Sequence, residues 1–117
     1  MRNIKHHCVI ITTHNIDVIK KIREKVLELF KLNMEAGNAY KLVGEPVESL
    51  INNYYTLVIY PDGSKEGHET SEDGDIVRKK VTEVVDEFIK SSKDADISYV
   101  ELYYGSDDGK AGIVRNV

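Results

Sequence analysis

A chain of 117 residues with a net charge of −4 and 31% charged side chains is one domain's worth of sequence, long enough to bury roughly two thirds of its unfolded surface. The acidic balance excludes a general nucleic-acid binder, which needs a basic footprint to displace counterions. No apolar run approaches the roughly 20 residues of a membrane span, and the single Cys8 has no intrachain partner for a disulfide.

The start, Met1-Arg2-Asn3-Ile4-Lys5-His6-His7, is basic, but the apolar run after it is short for a signal sequence and lacks a small-residue cleavage site. The expected setting is therefore the cytoplasm. Residues 1–117 are read as a single domain, without repeat, linker or low-complexity tract.

His7 to Thr13 reads as the first strand, with Val9 and Ile11 on one face and Cys8, Ile10 and Thr12 on the other. Both faces are partly apolar, as in a central strand. Asn15 is a good N-cap, and Asp17 in the first turn complements the helix dipole. Ile19, Ile22, Val26, Leu29 and Phe30 recur at helical spacing to about Leu32. Ala39 to Val43 reads as a short strand broken by Gly44-Glu45-Pro46, and Val47 to Ile51 as an edge strand or one helical turn. Asn52-Asn53 turns the chain into a buried strand, Tyr54 to Tyr60, which Pro61-Asp62-Gly63 ends.

Thr70 or Ser71 caps a second helix, and Thr70-x-x-Asp73 resembles a capping box. Ile76, Val77, Val81, Val84, Val85, Phe88 and Ile89 give it a broad apolar stripe ending near Ser92. Ser98 to Tyr104 is the next strand. Ser106-Asp107-Asp108-Gly109 is a hairpin turn, and Ala111 to Arg115 returns. The order β-α-β-β-α-β, plus a C-terminal β-return, predicts an α+β, ferredoxin-like sandwich with an antiparallel sheet and both helices on one face. On that expectation Tyr55, Leu57, Ile59, Val100 and Leu102 meet the helices. Tyr54, Val58, Tyr60, Tyr99 and Tyr103 lie on the opposite face with Cys8 and Ile10. So many aromatics on an open face point to association, either as a homo-oligomer or around a stacked ligand.

The loop Asp62-Gly63-Ser64-Lys65-Glu66-Gly67-His68 has the parts of an anion cradle: two glycines, a hydroxyl and a cation. It matches neither a Walker A motif nor a dinucleotide fingerprint. Arg78 can pair with Asp62 or Asp75, or face a phosphate, and Arg115 is the other cation placed near the sheet. The acidic helix start, Glu69 to Asp75, lacks the rhythm of an EF-hand and reads as dipole complementation. The four histidines and Cys8 have no zinc spacing, so no metal or cofactor is expected. His68-Glu69-Thr70 matches one His-x-Thr element of two-histidine phosphoesterases, but His14 is followed by Asn15-Ile16 and supplies no second copy. Cys8 reads as a packed thiol.

Pro61-Asp62-Gly63-Ser64-Lys65-Glu66-Gly67, Ser71-x-x-Gly74-Asp75-x-x-Arg78, Val100-Glu101-x-x-Tyr104-Gly105-x-Asp107-Asp108-Gly109 and Ile113-Val114-Arg115 together resemble a family of small tailed-phage and prophage proteins without an established activity. The resemblance covers most of the chain except about 33–53. His14 and His68 stand where that family carries Trp. A phage origin implies residence in the host cytoplasm and action by binding. The sequence expectation is a non-catalytic, homo-oligomeric sponge for a small phosphorylated, nucleotide-like signal. In it Ser64, Lys65 and His68 line the site, Arg78 and Arg115 clamp phosphate, and Tyr60 or Tyr103 stacks. The alternatives are a module that blocks a host protein through the tyrosine-bearing sheet face, and a small phosphoesterase using His68 and Thr70.

Overall fold

The computed structural model describes residues 4–33, 38–64, 69–105 and 109–117. Strands β1 (His6–Thr13), β2 (Val47–Glu48), β3 (Tyr55–Ile59), β4 (Ser98–Tyr104) and β5 (Gly112–Asn116) form one antiparallel sheet in the order β2-β3-β1-β4-β5. Helix α1 (Ile16–Asn33) follows β1, and α2 (Glu69–Ser91) links β3 to β4.

Local chemistry sets the ends of α1. The Asn15 carboxamide oxygen accepts the N–H groups of Asp17 and Val18 at 3.0 and 3.1 Å, satisfying donors that a helix leaves open. At the other end the Asn33 amide donates to the Leu29 carbonyl at 2.8 Å. The stripe Val18, Ile19, Ile22, Val26 and Phe30 is buried. It meets Val77, Val81 and Val85 of α2 and the sheet residues Val9, Ile11, Leu57, Ile59 and Tyr99 in one core. Each such aliphatic side chain contributes about 1.5–3 kcal/mol on full burial, so this single core is what holds both helices to one sheet face.

Strand register fixes which residues face that core. Val9 pairs with Ile59 and Glu101, and Ile11 with Leu57 and Tyr99. The inward set is therefore His7, Val9, Ile11 and Thr13 on β1, Tyr55, Leu57 and Ile59 on β3, and Tyr99, Glu101 and Tyr103 on β4. This corrects the expected phase of β4. Val100 and Leu102 point away from the helices, whereas Tyr99 lies beneath them and Tyr103 shares its face of the strand. Both phases of β4 are amphipathic, and polar satisfaction decides between them. The Tyr99 hydroxyl donates to Asp86 of α2 at 2.9 Å, and Glu101 finds two arginines.

A second correction concerns residues 39–43. Ala39–Leu42 forms a 3-10 helix, closed by Lys41 N–H to Asn38 and Val43 N–H to Tyr40 at 3.0 and 3.1 Å. Val43 alone makes a bridge, to Ile59. Local i→i+3 bonds prevailed there over β-propensity.

Candidate functional site

On the inward face a polar cluster interrupts the core. Glu101 is almost completely buried, and its carboxylate sits between two guanidinium groups. Arg115 of β5, which pairs with Glu101 across the strands, donates to Oε1. Arg78 of α2 lies with Nε 3.6 Å from Oε2, and its other end donates to Asp75 one helical turn back. Asp62 closes the group. Its Oδ1 accepts the backbone N–H and the hydroxyl of Ser64 at 2.8 and 2.7 Å. Its Oδ2 lies 3.2 Å from where a Cβ on Gly74 would stand, and Arg78 Nη1 is 2.9 Å from the same point. Gly74 is thus in mid-helix because the guanidinium passes over it.

The structure gathers three of the expected ligand residues, Ser64, Arg78 and Arg115, but around carboxylates. Both Ser64 donors point at Asp62, and the two arginines are matched by Glu101 and Asp75. Beside Arg78 the free space is a crevice of about 10 Å³ between Phe30, Tyr60 and Gly74, room for at most one water. Lys65 and His68 lie outside the described residues, as does the side chain of Thr70. Tyr60 and Tyr103 do not converge. The Tyr60 ring lies outward against Gly44, 3.1 Å from where a Cβ would stand. Tyr103, inward, lies flat on Gly112, with the Lys5 ammonium 4.7 Å from its ring centre.

Among the described residues no helix lies on the opposite, outward face. Register places there His6, Cys8, Ile10 and Thr12 of β1, Val47 of β2, and Thr56 and Val58 of β3. Ser98, Val100, Leu102 and Tyr104 of β4 join Ile113 and Asn116 of β5, and Tyr60 continues β3 on the same side. None of these is Lys, Arg, Asp or Glu, in a chain that is 31% charged. The face has a polar end, where the Thr12 and Thr56 hydroxyls meet at 3.0 Å, and an apolar end around Leu102, Tyr60 and Tyr104. Tyr60, Ile113 and Val47 are more than half exposed. Cys8 is covered by its neighbours, and burial pushes its thiol above the ordinary value against an opposing pull from Arg78. It is a packed thiol on this evidence of environment.

Two other surface features stand apart. The β2–β3 turn displays Leu50 and Ile51 to solvent, held by Ser49, whose hydroxyl donates to the Ile51 carbonyl at 2.6 Å and accepts the Tyr54 N–H at 3.0 Å. A cleft of about 470 Å³ runs between α1 and β2, lined by Lys20, Arg23, Glu24, Glu45, Glu48 and Tyr55. Its charges are mixed in sign, and Arg23 is already bonded to the Gly44 carbonyl at 2.8 Å and Glu45 at 3.1 Å. Among the described residues no group of three or more His, Cys, Asp and Glu is arranged to hold a metal, and no helix is long and apolar enough to cross a membrane.

Sequence reasoning missed Glu101. The sequence held only part of the signal: a hairpin expected to turn through 106–109 places residue 101 opposite 114, and the register shift between Glu101 and Leu102 brings Arg115 there instead. No protein-family model, curated protein or solved structure matches this chain.

Proposed function

We propose that the chain is a non-catalytic protein-association module whose working surface is the helix-free face of the sheet. The observation that carries this reading is the complete lack of ionised strand positions on that face, beside exposed Tyr60, Tyr104 and Ile113. Solvated antiparallel faces ordinarily alternate apolar-in and polar-out, and a contiguous uncharged face marks a contact surface. The strand order β2-β3-β1-β4, antiparallel throughout with both crossover helices on one side, supports a ferredoxin-like topology extended by β5. The resemblance to small phage proteins supports action by binding inside a host cell.

Capture of proteins from the producing cell tests the reading. Immobilised wild-type chain and a Lys79→Ala variant, altered on the exposed side of α2, should retain the same protein, and Leu102→Arg should lose it. Equal retention by all three ends the proposal.

A small phosphorylated ligand is the second reading, supported by the proximity of Ser64, Arg78 and Arg115. Such a ligand has to displace Glu101 from both arginines, which makes it the weaker of the two. Calorimetry against nucleotides and cyclic nucleotides decides it: no heat, with the protein folded, removes the ligand.

A further inference from the structure

Resting on the association reading, we propose that the occupant of the outward sheet face is a second copy of this chain, packed sheet to sheet. The first argument is electrostatic. Each copy carries a net charge of −4, so two copies repel wherever their ionised surfaces approach. The outward face is the region where the strands present no ionised side chain, so two like-charged molecules meet there without opposing like charges. A foreign partner recognised by complementary charge has nothing on this face to read.

The second argument is size. The five strands hold 8, 2, 5, 7 and 5 residues, and at ~3.3 Å rise and about 4.8 Å spacing they make a footprint of roughly 430 Å². Two such ruffled faces bury somewhat more than about 860 Å², the size of a weak, reversible contact and not of a permanent dimer. The face has to be used whole to reach it, and a copy of itself matches it whole.

The third argument is shape. Two sheets with the same right-handed twist pack aligned at about 30° with ~10 Å between them. The side chains at the middle of this face, Ile10, Val58 and Val100, are of the size that fills such a layer. β1 is the central strand of the five, so a two-fold axis through the middle of the face passes near Ile10. Residues on an axis of this kind meet their own copies.

Sedimentation velocity of the full chain from about 1 µM to about 1 mM reads the result, across the range where a weak interface dissociates. The wild type should pass from monomer to dimer. Leu102→Arg and Ile10→Arg should raise the dimer Kd by about tenfold or more, because each buries an unpaired charge. Leu50→Asp, on the β2–β3 turn, should leave it unchanged. Tyr104→Lys, at an exposed position, repeats the test if circular dichroism shows the other two to be misfolded. A wild type that stays monomeric throughout overturns the proposal, as does a dimer lost in Leu50→Asp but kept in the face variants. A monomeric wild type that still captures a protein which Leu102→Arg cannot removes the second copy and leaves the association module standing.

Discussion

Replacing Glu101 by Gln probes the inward cluster directly. The Glu101 and Arg78 side chains are 3% and 8% exposed, so neither can turn to water when its partner changes. In the variant a neutral amide sits between two guanidinium groups and turns donors toward donors. Arg78 keeps only Asp75, which is more than half exposed. Arg115, about a third exposed, can rotate outward. Breaking a buried pair from one side costs about 3–5 kcal/mol, equivalent at this chain length to a Tm lower by roughly 10–20 °C. Urea unfolding followed by circular dichroism measures it. Replacing the pair as a pair, Arg78→Met with Glu101→Leu, should recover most of the loss, since no unpaired charge then remains inside. A loss of less than about 1 kcal/mol in Glu101→Gln, the range of a surface pair, would refute the assignment of Glu101 as the group that holds both arginines.

Three further outcomes follow from single contacts. Gly74→Ala should destabilise by about 1–2 kcal/mol although alanine is the better helix former, because its Cβ meets Arg78 Nη1 at 2.9 Å; a stabilised variant contradicts the close approach. Gly112→Ala should displace the Tyr103 ring and change the near-ultraviolet dichroism at a cost of about 1–3 kcal/mol, and an unchanged spectrum contradicts the stacking. Burial, then the hydrogen bond to Asp86, push the Tyr99 phenol up from 10.0 to about 12. Above pH 10 the unfolded chain therefore holds fewer protons than the folded one, and this contribution to stability is complete below pH 10 and lost by about pH 12. The stability advantage of wild type over Tyr99→Phe should shrink through that window; parallel curves would refute the buried, bonded phenol.

Much of the fold was legible because long periodic patterns overdetermine it. Val9 and Ile11 against Cys8 and Ile10, the Asn15 cap, and the stripe from Ile19 to Phe30 each point one way, and each is found in place. β4 was legible in extent, Ser98 to Tyr104, but not in phase. Aliphatic side chains were assigned inward on hydropathy, whereas the fold buries Tyr99 and Glu101, whose polar atoms have partners more than a dozen residues away in sequence. Those partners lie on α2 and β5, and hydropathy along one strand does not contain them. The same distance effect misled the site reading: Arg78 and Arg115 looked available because the carboxylate between them belongs to a third element. The binding face changed composition accordingly, from a tyrosine-rich surface to one carrying Tyr60 and Tyr104 among aliphatic and hydroxyl side chains.

Methyl resonances recorded over a dilution series test the working surface most directly. The Ile10, Val58, Val100 and Leu102 methyls should move with protein concentration, while those of Ile22, Val26 and Val81, enclosed by the helices, stay fixed. Methyls that are all insensitive to concentration would remove the second copy as the occupant, and shifts confined to α1 and α2 would contradict the assignment of the helix-free face.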